Sequence, residues 1–285
     1  MNRIGQVYKA SSDKYIVNCE GEMIKCTARG VLKIKGDGIS VGDIVKLNGS
    51  AIEEVLPRKN KFIRPNVSNI DAIVIVIAPE PKPDLLMIDK LVLNAVKESA
   101  SIIFVVNKSD LSDNLIDELK QEYAMLNACF VQTNTINKEG VDTLKEILKG
   151  KLSVLAGQSA VGKTSLVNAM FGLTLQTGEL SEKILRGKHT TTRSEIFEKE
   201  QIKLVDSPGF AVLDAQVDLD ELGDCYPEYS NVASECRFRG CSHVNEPDCA
   251  VKQKVENGEF SKNRYLRYVE IYNEIAKRRK SYEKN

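Results

Sequence analysis

The chain has 285 residues, of which 42% are hydrophobic and 28% are charged, a balance typical of globular proteins. Its length allows two or three domains, whereas no apolar run approaches the roughly 18 residues that a membrane-spanning helix needs. The first residues, MNRIGQVYKA, also lack the apolar core of a signal peptide. The sequence therefore predicts a cytoplasmic protein without a membrane partner.

The formal net charge of zero conceals basic ends. Residues 1–66 contain 12 Lys and Arg against 7 Asp and Glu, and residues 251–285 contain 10 against 5. The middle of the chain is correspondingly acidic. Basic flanks are typical of contact with a polyanion, but a Lys-rich solvated surface has the same composition, and charge alone does not separate these alternatives.

Residues 1–56 consist of short alternating segments, such as GQVYKA and KYIVNCE, separated by turn signals such as SSD and KGDG. This pattern predicts an all-β barrel of about five strands, an OB-fold or, as the alternative, an SH3-like barrel. The basic segment RKNKFIRP, residues 58–65, is typical of a linker. We therefore place a first, RNA-binding domain at residues 1–64.

From Ser68 onward, apolar strands alternate with helical segments. NIDAIVIVIA and SIIFVV have the composition of buried strands, and DLLMIDKLVLNAVKESA, with Asp84 as its N-cap, has helical spacing. This alternation predicts an α/β domain at residues 65–220, with a mostly parallel sheet and helices on both faces. Residues 221–285 are predicted to form a mainly helical third domain that ends in a basic helix. The predicted apolar stripe of that helix is Phe260, Tyr265, Leu266, Val269, Tyr272 and Ile275.

The tetrapeptide Asn107-Lys108-Ser109-Asp110 follows the strand SIIFVV. A carboxylate accepts two hydrogen bonds side by side, and guanine offers its N1–H next to its 2-amino group, whereas adenine has no such pair. Asp110 is therefore a candidate guanine selector. Asn107 is expected to bond the base edge and to tie loops together, and the Lys108 stem to lie along the ring.

The octapeptide GQSAVGKT, residues 157–164, follows an apolar strand and opens a helix, as a phosphate-binding loop requires. Its glycines let backbone N–H groups surround phosphate oxygens at a helix N-terminus. Lys163 is expected to reach the β- and γ-phosphates as a catalytic residue, and Thr164 to bind Mg²⁺. The predicted contacts of this loop with GTP are Gly157, Gln158, Ser159, Ala160, Val161, Gly162, Lys163, Thr164 and Ser165.

The segment at residues 107–110, which we call the guanine reader, precedes the phosphate loop in this chain. This is the reverse of the usual order in a guanine-nucleotide switch. A circular permutation explains this order, because the first and last elements of the usual fold lie side by side and can be joined. We predict that the join lies at residues 148–153. The new cut then falls beyond residue 209, so that the γ-phosphate sensor leads directly into the C-terminal region.

Two further loops carry candidates for Mg²⁺ and γ-phosphate. In DSPG, residues 206–209, the Asp206 carboxylate is a candidate for the Mg²⁺ shell and the Gly209 N–H for the γ-phosphate. In the loop KHTTTR, residues 188–193, Thr192 is the favoured Mg²⁺ ligand and Thr191 the second choice. Many switch GTPases carry Gln where this chain has Phe210. His189 is the candidate for orienting the attacking water, with packing on the nucleotide as the alternative.

The chain contains seven cysteines, which a cytosolic protein keeps reduced. Four residues within fourteen positions have the spacing of one closed structural Zn²⁺ site, with three thiolates and one imidazole as ligands. These ligands are Cys236, Cys241, His243 and Cys249. Cys225 is a less favoured ligand. Cys19, Cys26 and Cys129 lie in strand-like segments and are predicted to be core residues.

The motif order, with a barrel before it and the Cys/His cluster after it, resembles the RsgA/YjeQ (YloQ) family of circularly permuted GTPases that depend on the small ribosomal subunit. The resemblance covers nearly the whole chain. It implies an N-terminal OB-fold, a permuted GTPase centre and a zinc-binding C-terminal domain. It also implies action in late maturation of the small (30S) subunit, with GTP hydrolysis stimulated by that subunit. One departure is Gln132-Thr133-Asn134, which stands where many switch GTPases have Ser-Ala, so no base contact is assigned there.

The function predicted on these grounds is that of a monomeric GTPase that binds ribosomal RNA and hydrolyses GTP to GDP and phosphate, with Mg²⁺ and one Zn²⁺. Two alternatives stay open. The chain could be an RNA-binding module with a nucleotide-gated conformation, in which hydrolysis is incidental. It could also be a signalling GTPase with a protein partner, which would leave the two basic flanks unexplained.

Overall fold

The structure is a computed structural model that describes residues 2–11, 13–28, 38–63, 65–112, 114–174, 194–206 and 215–282. His189, Thr191, Thr192, Gly209 and Phe210 lie outside these ranges. Within the described part of the chain, no helix combines the length and the apolar character needed to cross a membrane.

The N-terminal region is a closed five-stranded barrel, as predicted. Its strands are β1 (Asn2–Ser11), β2 (Lys14–Cys19), β3 (Glu22–Ala28), β4 (Ile44–Asn48) and β5 (Ala51–Val55). The order β1-β2-β3-β5-β4 closes through pairing of β4 with β1, which is the arrangement of the OB-fold rather than of an SH3-like barrel. Alternate residues point inward, so that Val17, Val45 and Ile52 are fully buried.

The described residues of the central region form eight further strands. They are β6 (Lys61–Phe62), β7 (Val67–Ser68), β8 (Ala72–Ile77), β9 (Ser101–Asn107), β10 (Ala128–Thr133), β11 (Leu152–Ala156), β12 (Glu195–Lys199) and β13 (Ile202–Asp206). The large sheet has the order β10-β9-β8-β11-β13-β12, and its first five members run parallel, which confirms the predicted sheet. Because β8 is covered on both faces, all six of its residues are buried.

Helices cover both faces of this sheet. They are α1 (Leu85–Lys97), α2 (Leu115–Glu122), α3 (Val141–Leu148) and α4 (Lys163–Phe171). Side chains of α1 and α2 belong to one apolar core, and those of α3 and α4 belong to another. The parallel strands place the ends of β9 and β11 at one edge of the sheet, whatever their order in the chain.

The barrel and the large sheet form one continuous hydrogen-bonded surface, because β1 pairs with the antiparallel edge strand β12 through Lys9 and Glu195. The Lys9 ammonium also lies 2.9 Å from a carboxylate oxygen of Glu195. The strand that enters the sheet just after the KHTTTR loop is therefore joined to the barrel. The domain boundaries proposed from sequence, at residues 64 and 220, remain predictions.

The C-terminal region is mainly helical, with α5 (Pro227–Ser230), α6 (Ala250–Glu256) and α7 (Lys262–Tyr282). The predicted apolar stripe of the last helix was partly wrong, because Leu266 is 54% exposed whereas Tyr268 and Ile271 are buried. The helix packs against stacked tyrosines, Tyr226 and Tyr229, whose ring centroids lie 4.9 Å apart. The buried face of the helix is rotated from the predicted one because it packs on these tyrosines, and the apolar spacing of the helix alone does not reveal that partner.

Buried ion pairs attach α7 to the central region. The Asp89 carboxylate on α1 accepts hydrogen bonds from Arg264 at 2.9 Å, from Arg267 at 2.5 Å and from the Tyr123 hydroxyl at 2.7 Å. Arg264 also donates to Glu228 at 2.5 Å. Truncating one partner would leave a buried charge unpaired, so this contact fixes the C-terminal region on α1.

Candidate nucleotide and metal sites

The phosphate loop connects β11 to α4 and needs glycine at two positions. Gly157 has φ +138° and Gly162 has φ +96°, both in the region that favours glycine. A Cβ atom at Gly157 would lie 2.2 Å from the Val76 carbonyl oxygen, and one at Gly162 would lie 2.3 Å from Asn107 Nδ2. The loop therefore packs directly on β8 and on the guanine reader, and α4 begins where the loop ends.

Lys163, the first residue of α4, turns its side chain back into the loop. Its Nζ donates to the carbonyl oxygens of Gly157 at 2.7 Å and Gln158 at 2.6 Å. Burial lowers the pKa of this ammonium, because a low-polarity surrounding disfavours the charged form. Phosphate oxygens are stronger acceptors for an ammonium than carbonyl groups are, so the arrangement suits an anion.

Asn107 ties the guanine reader to the phosphate loop, as the sequence predicted. This residue ends β9 and is 1% exposed, and its Nδ2 donates to the Val161 carbonyl at 2.9 Å. Its Oδ1 accepts a hydrogen bond from the Thr133 hydroxyl at 3.1 Å. Two loops that are 50 residues apart in the sequence thus share one buried amide.

Asp110 is exposed next to this amide, and its carboxylate is held from the side by Asn134. Asn134 Nδ2 donates to Asp110 Oδ1 at 3.0 Å, and Asn134 Oδ1 accepts from the Ile136 N–H at 2.9 Å. The segment Gln132-Thr133-Asn134, to which no role was assigned, therefore positions both reader residues. This role could be found only from the pairing register of the two strands, because Thr133 lies opposite Asn107 where β10 pairs with β9.

The segment between β8 and α1 contacts both nucleotide motifs. Lys108 has φ +55° and its Nζ donates to the Glu80 carbonyl at 2.8 Å. The Gln158 side chain accepts from the Asp84 N–H at 3.0 Å and donates to the Lys82 carbonyl at 3.2 Å. The Gln158 amide is thus occupied by protein, and only its backbone remains as a candidate phosphate contact.

The remaining nucleotide candidates divide by their place in the chain. Ser159, Ala160 and Ser165 are exposed around the loop, and Thr164 is half-buried in the first turn of α4. The backbone of Asp206 ends β13, which runs alongside β11. The Asp206 side chain lies outside the described atoms, as do His189, Thr192 and Gly209, so their roles remain predictions.

The four predicted metal ligands converge. The ligand atoms of Cys236, Cys241, His243 and Cys249 all lie within 4.8 Å of one another. His243 Nδ1 is 3.6 Å from Cys236 Sγ and 3.4 Å from Cys249 Sγ, and the two sulfur atoms are 4.0 Å apart. Tetrahedral Zn²⁺ with bonds of about 2.0–2.3 Å requires edges on the order of 3.5–3.8 Å, so the donor set fits a metal of this size.

Other cysteines lie outside this group. Cys225 is buried in the C-terminal core, and burial raises the pKa of its thiol to about 11, which favours the neutral form over a thiolate ligand. Cys19 and Cys26 are buried in the barrel as predicted. Cys129 is exposed, contrary to the core position predicted for it, because β10 is an edge strand of the sheet and is less fully covered than the central strands.

The outer contacts of the metal cluster come from α7. The Tyr265 hydroxyl donates to the His243 carbonyl at 2.8 Å, and the Tyr268 hydroxyl donates to the Ser242 carbonyl at 2.6 Å. His243 itself has φ +60°, an uncommon backbone conformation that these contacts support. The cluster therefore fastens the loop at residues 236–249 to the last helix.

Comparison with known proteins shows which family has this arrangement of motifs. The family model described as RsgA GTPase matches residues 55–216, and the model described as RsgA N-terminal domain matches residues 4–54. The chain belongs to the RsgA GTPase family. It is therefore a GTP hydrolase, and the family resemblance drawn from its motifs is confirmed.

Relatives of this RsgA GTPase cover almost its whole length. A protein of Thermotoga petrophila named small ribosomal subunit biogenesis GTPase RsgA is 38% identical, over 98% of this chain and 99% of its own. A protein of the same name from Geobacillus sp. is 36% identical, over 98% and 99%. The crystal structure of YjeQ from Thermotoga maritima matches with a TM-score of 0.81 at 35% identity, covering 97% of this chain and 99% of that chain.

The predicted circular permutation is confirmed by a second solved structure. YloQ, described as a circularly permuted GTPase, matches with a TM-score of 0.76 at 29% identity and covers 98% of this chain and 96% of its own. The RsgA GTPase family also implies Mg²⁺ with GTP. Thr164 offers a hydroxyl oxygen at the start of α4, a donor type that suits this hard cation.

Loss of the metal is expected to destabilise the RsgA GTPase strongly. The four ligands of the loop at residues 236–249 come together only in the folded chain, so the free energy of metal binding adds to the free energy of folding. We expect Cys249→Ser to lower Tm by about 8–16 °C, because loss of a structural metal costs roughly 4 kcal/mol and each kcal/mol shifts Tm by ~2–4 °C in a chain of this size. Thermal melting with metal analysis would measure this.

The matched control for this prediction is Cys129→Ser, which removes an exposed thiol outside the cluster. This variant should keep both its metal content and its Tm. If Cys249→Ser retained the bound metal and melted with the control, the cluster would not be a structural metal site.

Proposed function

We propose that this protein acts in biogenesis of the small (30S) ribosomal subunit, where it binds ribosomal RNA and hydrolyses GTP when the subunit stimulates it. The observation that supports this most strongly is the shared buried amide of Asn107, which joins a guanine reader to a phosphate loop between a barrel and a C-terminal region with four converging metal-ligand side chains. Relatives that match nearly the whole chain carry the name small ribosomal subunit biogenesis GTPase.

In the proposed reaction Asp110 selects guanine, and the loop at residues 157–165 holds the phosphates with Lys163 at the β- and γ-positions. Thr164, Thr192 and Asp206 would hold Mg²⁺, which would supply positive charge to offset that of the β- and γ-phosphates. Water attacks the γ-phosphorus in line, and the bond to the β–γ bridging oxygen breaks to give GDP and phosphate. The Gly209 N–H donates a hydrogen bond to the γ-phosphate and moves when that phosphate leaves.

The attacking water needs a group that orients it, and the sequence offers few candidates for this role. Phe210 offers no hydrogen bond at the position where many switch GTPases have Gln. His189 is the candidate within the chain. We propose that intrinsic turnover is slow and that the small subunit completes the site, in the way that a partner residue does for other GTPases.

The metal of the Cys/His cluster is proposed to be a single Zn²⁺. Three thiolates and one imidazole form a closed tetrahedral set, which is typical of structural zinc and leaves no position for substrate. Its proposed task is to fix the loop at residues 236–249 on α7.

Affinity for the subunit is proposed to come largely from phosphate contacts of the basic flanks, and therefore to fall as salt rises. The C-terminal flank contributes less than its composition indicates, because Arg264 and Arg267 are engaged in buried ion pairs with Asp89. We place the protein in the cytoplasm as a monomer.

Turnover of GTP with purified small subunits, with large subunits or with neither tests this function. We expect stimulation of at least about tenfold by small subunits alone, since completing such a site in trans can contribute far more. Equal stimulation by large subunits would contradict the proposal, as would activation by a protein factor in the absence of subunits.

A further inference from the structure

The short loop at residues 237–240 lies between two predicted metal ligands and contains none of the predicted nucleotide or metal ligands. Its sequence is RFRG, and all four residues are exposed. Phe238 is 43% exposed, although the flanking residues Cys236 and Cys241 pack against the C-terminal core. Because Cys236 and Cys241 flank the loop, a bound metal would hold both of its ends.

The Phe238 ring is held in place from one side. The Arg237 guanidinium lies over the ring, 5.4 Å from its centroid, in a cation–π contact. Arg237 Nη1 pairs with Asp248 at 2.7 Å, and the Arg237 N–H donates to the Asp248 carbonyl at 3.3 Å. Since Asp248 precedes the ligand Cys249, the ring is anchored to the metal cluster through Arg237.

Arg239 follows Phe238 in the sequence. It is exposed and forms no ion pair with any residue that the structure describes. A guanidinium in this state matches the bidentate geometry of phosphate oxygens. The loop thus presents an aromatic surface next to a cation that is available to a phosphate.

An exposed aromatic ring with an arginine on either side in the sequence suits an unpaired nucleotide better than a protein surface. Protein interfaces need an apolar core of many residues, whereas one ring is sufficient to stack one base while arginine binds the backbone phosphate. We propose that Phe238 stacks on an unpaired base of ribosomal RNA, with Arg237 positioning the ring and Arg239 binding an adjoining phosphate. The proposal rests on the proposed function in the small subunit.

Affinity for small subunits tests the stacking. Phe238→Leu should weaken binding about 5- to 150-fold, because stacking on an aromatic ring is worth ~1–3 kcal/mol per base. Phe238→Trp should bind at least as tightly as the unchanged protein, since it keeps a larger stacking surface. Arg239→Ala should weaken binding and reduce the salt dependence by about one phosphate contact. Leu266→Ala, at an exposed apolar position on α7, is the matched control and should bind normally.

A photo-reactive azido-phenylalanine at position 238 identifies the occupant directly. An adduct with ribosomal RNA supports the proposal, whereas an adduct with a ribosomal protein, or unchanged affinity of Phe238→Leu, overturns it. Stimulation of GTP turnover by small subunits is measured on the same preparations. If subunits stimulate the unchanged protein while Phe238→Leu binds equally well, the stacking fails and the proposed function stands; if no stimulation occurs, the proposed function itself fails.

Discussion

Lys163→Ala is expected to lower small-subunit-stimulated GTP turnover by roughly 10²–10³-fold, the cost of removing one preorganised donor from a site where charge develops. The ammonium is the only side-chain cation within the phosphate loop's sequence, and it lies 2.7 Å and 2.6 Å from the loop carbonyls of Gly157 and Gln158. Partial burial makes its interaction with phosphate stronger than it would be in water. Steady-state turnover at saturating GTP measures the effect.

The matched control is Lys149→Ala, which removes a surface lysine that pairs with Glu146 at 2.6 Å in the same domain. A pair this exposed contributes at most about 1 kcal/mol to stability, so turnover should be unchanged. Activity of Lys163→Ala within a factor of about two of the control would contradict the role of this lysine.

The same variant separates the GTPase from a nucleotide-gated RNA-binding module. If hydrolysis drives release, Lys163→Ala should remain on small subunits after GTP is added, because the step that loosens the complex is missing. If hydrolysis is incidental, the variant should leave the subunits at the rate of the unchanged protein. Sedimentation of subunits after a chase with excess unlabelled protein would distinguish these outcomes.

The parts of the fold that the sequence predicted are those whose signals are local. The buried strand β8 is a continuous apolar run, and the phosphate loop contains the glycines that its φ angles require. The spacing of Cys236, Cys241, His243 and Cys249 likewise predicted a cluster whose ligand atoms the structure brings within 4.8 Å. In each case the residues that make the feature lie close together in the chain.

Features that depend on distant partners were not predictable in this way. The Asp89 carboxylate is 1% exposed because Arg264 and Arg267 reach it from α7, and the sequence around Asp89 does not predict this pairing. Thr133 and Asn134 acquired a role only through the register of β10 on β9. Long-range pairing of this kind requires knowledge of which elements are neighbours, and no local propensity contains that information.

The second large effect concerns the choice of base. Asp110→Asn is expected to weaken GTP binding about 10²–10⁴-fold, because two hydrogen bonds from a charged acceptor to the N1–H and 2-amino groups are lost at ~1.5–3 kcal/mol each. The amide of the variant offers one acceptor and one donor. That pair matches the N1–H and 2-oxo groups of xanthine, so affinity for xanthosine triphosphate should rise by a similar factor.

Competition binding with both nucleotides measures this exchange. Asp117→Asn, at an exposed position on α2, is the matched control and should bind GTP normally. Asn134→Ala should weaken GTP binding only about 2- to 10-fold, since it removes one hydrogen bond that orients the Asp110 carboxylate and leaves the carboxylate itself in place. Tight binding of GTP by Asp110→Asn, or no gain for the xanthine nucleotide, would mean that the base is not read by this carboxylate. The shared amide of Asn107 would then join the phosphate loop to something other than a guanine site.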